Sequence, residues 1–442
     1  MVPEPGIFDI HHAPSRELAD DCVHCGFCLP SCPTYVLWGQ EADSPRGRIY
    51  LMKAGLDARA AWNEAYQRHF DTCLGCMACV TACPSGVKYD RLIEATRPQV
   101  ERHGQRSIAD RLFRQMIFSI FPRPDRLRAL AGPLRVYQQT GLQRLVRALG
   151  LTKLVPERIA AMERLMPPLP ANGTACELPE RIPAQGERRR TVGLLLGCVQ
   201  RVFFAHVNAA TARVLSAEGC EVVAPRDQQC CGALMLHAGR EQEAADAARK
   251  TIDVFERAGV DQIVINAAGC GSAMKEYGEL LRDDPAYAER ARAFAATCVD
   301  VSELLADLEP RAARHPLPLK VAYHDACHLQ HAQRVRQQPR RVLQTIPNLE
   351  LREIAESDIC CGSAGIYNLV EPDAAGALRD RKVANILRTG ADVVVSGNPG
   401  CMMQIASGLD VAGRDIPSLH FIEIVDRSIR GVASEPSGGC GG

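Results

Sequence analysis

The stretch "DQQCCGALMLHAG" at residues 227–239 returns in altered form as "SDICCGSAGIYNL" at 357–369. Two adjacent cysteines make a poor disulfide, because a ring closed across one peptide bond departs from normal bridge geometry. Each pair therefore needs partners from elsewhere in the chain. The first copy, Cys198, Cys230, Cys231 and Cys270, has the spacing C-x31-CC-x38-C. The second, Cys327, Cys360, Cys361 and Cys401, has the spacing C-x32-CC-x39-C. Equivalent cysteines are therefore separated by a nearly constant interval, which marks a duplication.

The surroundings of these cysteines give the fold class. "TVGLLLG", "CEVVAP" and "QIVIN" precede Cys198, Cys230 and Cys270, and "LKVAYHDA", "LELREI" and "DVVVSGN" precede their counterparts. Each reads as a short buried strand, and helical stretches near 240–258 and 374–389 separate them. The pattern predicts an α/β repeat over 191–315 and another over 316–430. In such units ligands sit at the carboxyl ends of strands, so each repeat is expected to gather four thiols at one sheet edge. Gly232 and Gly362 would let the chain turn there and point amides at sulfur. Iron–sulfur ligation by one or both repeats, metal-free redox thiols and buried structural cysteines all fit at this level.

Two further cysteine runs lie near the start. "CVHCGFCLPSCP" carries Cys22, Cys25, Cys28 and Cys32, and "CLGCMACVTACP" carries Cys73, Cys76, Cys79 and Cys83. Both have the spacing of two-cluster ferredoxins, in which the fourth cysteine of each run reaches the other cluster. Cluster A is then expected on Cys22, Cys25, Cys28 and Cys83, and cluster B on Cys73, Cys76, Cys79 and Cys32. Structural zinc, the rival, prefers two paired knuckles and matches this spacing poorly. A helical rhythm at Ala65, Tyr66, His69 and Phe70 makes the whole 1–105 segment a helix-rich, two-cluster ferredoxin-type domain. Arg46 and Arg48 in "SPRGR" read either as tuners of a cluster or, more simply, as a turn and a basic helix start.

Composition narrows the function classes. The 442 residues hold 52 basic and 52 acidic side chains and 5% aromatics, which gives no field or stacking surface for nucleic acid. Twenty cysteines in a chain opening "MVPEPGIFDIHHAPSRELAD", without a signal-peptide pattern, point to metal or redox chemistry in a reducing cytoplasm rather than to staples. No uncharged apolar run reaches the ~18 residues a membrane span requires. Residues 106–165 form a basic helical bridge; within 106–158 stand 11 Lys or Arg against 3 Asp or Glu. Its amphipathic helices suit an anionic lipid surface, a partner, or simply the solvated outside of helices packed on this protein. Residues 166–190 read as a Pro-rich linker and 431–442 as a flexible tail. Cys176, Cys220, Cys298 and Cys440 have no repeat partners and are expected to ligate nothing. His324, Asp325 and His328, beside Cys327, either tune a cluster, relay protons or are satisfied by hydrogen bonds.

Two ferredoxin runs followed by two CCG repeats resemble the heterodisulfide-reductase-like iron–sulfur proteins. Within that group, "DSPRGRIYLMK" and "CLGCMACVTACPSGVKY" resemble the iron–sulfur subunits of bacterial glycolate oxidase. The resemblance implies an electron-transfer subunit that works beside FAD-containing subunits oxidising glycolate, with a quinone-type acceptor and peripheral contact with the inner face of the membrane. It implies two [4Fe–4S] clusters, with one or two more at the CCG repeats, and FAD on the partners only. Relatives serving lactate or glycerol-3-phosphate oxidation, or a catalytic CCG subunit reducing a disulfide or quinone, are the alternatives. Disulfide-cleaving relatives end each repeat in C-x-x-C, whereas Ala267 and Asn398 stand at the upstream positions here. No G-x-G-x-x-G opening a strand–helix unit and no P-loop is present, so hydride abstraction by this chain itself is not expected.

Overall fold

The computed structural model describes residues 6–169 and 177–432. Two largely parallel sheets form the second half of the chain. The first contains β1 (Arg181–Ile182), β2 (Arg190–Leu194), β3 (Cys220–Val223), β4 (Gln262–Ile265) and β5 (Cys298–Asp300), in the order β1-β3-β2-β4-β5. The second contains β6 (Lys320–His324), β7 (Glu350–Glu353), β8 (Val393–Ser396) and β9 (Ser418–His420), in the order β7-β6-β8-β9. Apart from β1 the two orders superimpose, and registers agree: Val192 faces Gln262 as Val321 faces Val393. The sequence duplication is thus a structural one. Six strands fall on the quoted stretches, five of them buried; β7 lies at a sheet edge with Glu350 and Glu353 both exposed, and β5 and β9 are three-residue edge strands too short to show a period.

β1 lies inside the stretch read as a linker. It pairs antiparallel with β3, Arg181 opposite Val223 and Ile182 opposite Val222, and covers an edge that would otherwise offer unpaired backbone. Cys220 and Cys298 lie in β3 and β5 and are buried in apolar clusters. Cys176 and Cys440 lie outside the described residues.

The repeats pack helix between sheets. Ala205–Ala217 from the first and Phe421–Arg430 from the second lie together, and one apolar cluster takes Val192, Leu194 and Val264 with Val321, Tyr323 and Val395. Arg213 spans the join to Asp426 at 2.7 Å, and the imidazole of His420 donates to the Asn266 carbonyl at 2.9 Å. This join brings the strand ends of both repeats toward one side. The Ala268 amide donates to the Gly397 carbonyl at 3.0 Å, which links the turns after β4 and β8.

Residues 6–105 are helix-rich, as expected. Ser44 caps the helix Pro45–Leu56 by accepting from the Gly47 amide at 3.0 Å, and Asn63 caps Glu64–Asp71. Phe8, Met52, Tyr66, Phe70, Leu92 and Ile93 form their core, with Trp62 edge-on to Tyr66. The bridge folds into Ile108–Ile120, Pro124–Gln139, Leu142–Ala148 and Glu157–Arg164. Many of its cations are committed within the chain: Arg106 to Asp71 and Glu101, Arg114 and Arg158 to Asp110, Arg147 to Glu163.

The two CCG turns are tight in different degrees. Gly232 and Gly362 sit at φ +84° and +88°, but a Cβ at Gly362 would meet the Ala375 carbonyl oxygen at 2.5 Å, against 3.1 Å to the Ala244 oxygen at Gly232. Gly362→Ala is therefore expected to destabilise the chain by about 2–4 kcal/mol, the left-handed penalty plus overpacking. Gly232→Ala should cost about 1–2 kcal/mol, the left-handed term alone. Urea unfolding of the two variants, followed by circular dichroism, checks the order.

Candidate metal centres

The cysteine loops of the ferredoxin-type half repeat one backbone shape. The third and fifth residues of each are left-handed: His24 and Gly26 at φ +55° and +89°, Gly75 and Met77 at +63° and +61°. Alternation of handedness curls the loop so that its thiols converge. One cavity is lined by Cys22, Cys25, Cys28 and Cys83, and a second by Cys32, Cys73, Cys76 and Cys79. The structure thus brings together the two crossed sets expected from the spacing. All described cysteines are free thiols.

Arginines clasp both loops. Arg46 donates to the His24 carbonyl at 2.7 Å and lines the first cavity; Arg97 donates to the Cys73 carbonyl at 2.6 Å. Arg48 is deeper. It is 1% exposed, lines the second cavity, and donates to Thr34 and Thr72 at 3.2 Å, with Asp43 at 3.6 Å. Burial opposes its charge, but Cys73, Tyr89, Cys32 and Asp43 outweigh that and favour the guanidinium cation further. Burial likewise opposes ionisation of Cys73, yet Arg48 and Arg97 prevail and hold that thiol below its ordinary range. Cys76 and Cys79 are pushed up, by burial first and then by neighbouring sulfurs. The simple reading of "SPRGR" as a helix start is correct for the backbone, yet both arginines face the cavities. Their places in a first helical turn could not reveal that.

Each CCG repeat collects its four cysteines. In the first, Cys198 contacts Cys230, and Cys231 contacts Cys230 and Cys270. In the second, Cys360 contacts Cys327 and Cys361, and Cys361 contacts Cys401. The glycine amides point at sulfur as expected, Gly232 to Cys230 at 3.5 Å and Gly362 to Cys360 at 3.4 Å. Hydrogen bonds from Cys360 and Cys401 favour the Cys361 thiolate and hold it well below the ordinary range, whereas Cys360 and Cys401 are raised.

The cysteine sets are not isolated from one another. Cys76 and Cys327 fall in one buried cluster and interact electrostatically. Around them His328 donates to the Gly75 carbonyl at 3.0 Å, and Thr81 meets the His331 ring at 2.7 Å. The ferredoxin-type half is thereby docked on the second repeat, beside its thiols. Of the residues flanking Cys327, His328 serves this docking, and Asp325 is spent in a buried ion pair with Arg340 at 2.7 Å.

Residues 18–87 match the 4Fe-4S dicluster domain family, and residues 192–275 and 321–406 match the cysteine-rich domain family. Residues 109–166 match the linker region of the glycolate oxidase iron-sulfur subunit. Over 411 residues the chain is 39% identical to the "Probable glycolate oxidase iron-sulfur subunit" of Bacillus subtilis (strain 168), covering 92% of this chain and 93% of that one. The chain belongs to the glycolate oxidase iron–sulfur subunit family. The Escherichia coli (strain K12) glycolate oxidase iron-sulfur subunit is likewise 39% identical, over 92% of this chain and 93% of its own. A more distant relative is a chain of the CoM/CoB fumarate reductase of Methanothermobacter marburgensis, 26% identical over 92% of this chain and 71% of its own. Iron–sulfur clusters are therefore this subunit's cofactors, and the donor sets fit them: thiols in fours, with amides and guanidiniums aimed at sulfur or at the loops that bear it.

Arg48 offers a direct test of how this glycolate oxidase-type subunit holds its loops. Arg48→Met removes the donor to Thr34 and Thr72, while Asp43 keeps His69 at 2.9 Å and Thr72 at 3.1 Å, and a loss of about 1–3 kcal/mol is expected. Arg48→Lys keeps the charge but not the fork and should lose less. Urea unfolding of both variants, with iron content measured alongside, checks it.

Proposed function

We propose that the chain receives electrons singly from a flavin on a partner subunit that oxidises glycolate, and delivers them toward a quinone-type acceptor. The observation that carries this reading is the contiguity of the thiol sets. Cys32 and Cys83 each cross from their own loop to the other cavity, and Cys76 adjoins Cys327, so that sets lie side by side from the surface inward. In this reading Cys22, Cys25, Cys28 and Cys83 hold one [4Fe–4S] cluster and Cys73, Cys76, Cys79 and Cys32 another. Cys327, Cys360, Cys361 and Cys401 hold a third, and Cys198, Cys230, Cys231 and Cys270 offer a fourth site. Bound clusters supply one-electron redox centres. The residues here fix those centres, exclude water from the inner ones and lay positive charge beside the thiolates.

The partner's docking place is read from exposure. Cys25 is exposed and lies between Val23 and Phe27, which are 69% and 67% exposed, a small apolar rim over the first cavity. Reduction by glycolate through the flavoprotein partners, followed anaerobically by EPR, tests the function. With Phe27→Asp a more than tenfold slower reduction is expected, with iron content unchanged; an undiminished rate would place electron entry elsewhere.

No helix among the described residues is long and apolar enough to cross a membrane. The bridge instead shows Leu142, Leu145, Leu149 and Leu154 to solvent, interleaved with Arg144 and Lys153. Such a face suits the surface of an anionic leaflet. Cosedimentation with vesicles containing anionic phosphatidylserine is expected, weakened by salt and by Leu145→Asp/Leu149→Asp. Equal binding to neutral vesicles would reject the electrostatic part.

A further inference from the structure

The two CCG sites differ in one wall. The register pairs Val192 with Gln262 and Val321 with Val393, so Leu195 of the first repeat corresponds to His324 of the second, and Ile265 to Ser396. In the first repeat Leu195 and Ile265 are buried and pack in one apolar cluster with Cys231. In the second, His324 is 1% exposed, and its ring lies with the Cys361 and Cys401 sulfurs, the ligating atoms all within 4.8 Å of one another. The ring hydrogen-bonds Cys361, while its Nε2 has no hydrogen-bond partner, and neither does the Ser396 hydroxyl beside it.

A buried imidazole nitrogen without a partner costs about 1–3 kcal/mol, and histidines in cores normally find one. The Ser396 hydroxyl does not reach it, and Asp325 and Asn398 are engaged elsewhere. Asp325 is held by Arg340, and Asn398 donates its amide to the Cys401 sulfur at 3.4 Å. Asn398 also stands where disulfide-cleaving relatives carry their fifth cysteine, so the second repeat lacks a fifth thiolate but has a fifth donor.

We infer that His324 is a ligand of the metal cluster held by the second CCG repeat, which makes that site a four-cysteine, one-histidine centre unlike the all-cysteine site of the first. The inference rests on the proposed cluster at Cys327, Cys360, Cys361 and Cys401. Against the five-thiolate centre of disulfide-cleaving relatives, a neutral imidazole as fifth ligand leaves less negative charge on the cluster and raises its potential, as imidazole does in Rieske centres.

The test uses the full chain purified anaerobically, with natural-abundance or 15N-labelled histidine, and pulsed EPR of the reduced protein. Iron counts of the wild type, Cys361→Ser, His324→Leu and His324→Cys accompany it. The expected result is a signal abolished by Cys361→Ser that carries a strong nitrogen coupling. That coupling changes isotope with the label, vanishes in His324→Leu, and gives way to a lower midpoint potential in His324→Cys. The labelled wild type needs no substitution, so misfolding of a variant leaves the test intact. A Cys361-dependent signal without histidine nitrogen would overturn the ligand and leave the cluster standing. Unchanged iron in Cys361→Ser, or zinc at these sulfurs, would overturn both.

Discussion

Thiols gathered in fours inside a protein repel one another as soon as they ionise, and burial makes each ionisation harder. The architecture answers that constraint at every site. Arg48 and Arg97 lie close enough to keep Cys73 below its ordinary range despite burial. Gly232 and Gly362 turn amides toward Cys230 and Cys360, and Cys361 is eased by Cys360, Cys401 and His324. Cys79 and Cys401 are raised, so metal must displace protons to bind there, which couples occupancy to pH.

The same demand explains how the halves join. A cluster-holding loop cannot also form a large apolar core, so the ferredoxin-type half leans on the second repeat through His328 and His331. The repeats lean on each other through the helices Ala205–Ala217 and Phe421–Arg430. Duplication supplies two similar thiol sites, and substitution of a few wall residues makes them unequal. Leu195 and Ile265 give one site a dry apolar floor, whereas His324 and Ser396 give the other a polar one.

Much of the plan is legible in sequence because cysteine spacing is a covalent ruler. The eight N-terminal cysteines, crossing included, and the eight of the CCG repeats fall together as spacing indicates. Strands β2, β3, β4, β6 and β8 show as apolar runs and β7 as an alternating apolar and charged one, while β1, β5 and β9 are too short for a pattern and form only because a sheet edge is there to pair with. "SPRGR" shows a helix start; that Arg48 ends beside Cys32 and Cys73 depends on how that helix packs.

By itself, then, the sequence determined the number of thiol sites, the duplication and the family, since these follow from local spacing and repeated pattern. Tertiary structure alone decided which site meets which. Cys76 and Cys327 belong to different domains, far apart along the chain, and come together only through docking. It also separated three neighbours that look alike in "YHDACHL": Asp325 to an arginine, His328 to a backbone carbonyl, and His324 to the sulfurs. Strand direction and packing, which no spacing encodes, send each side chain to a different partner.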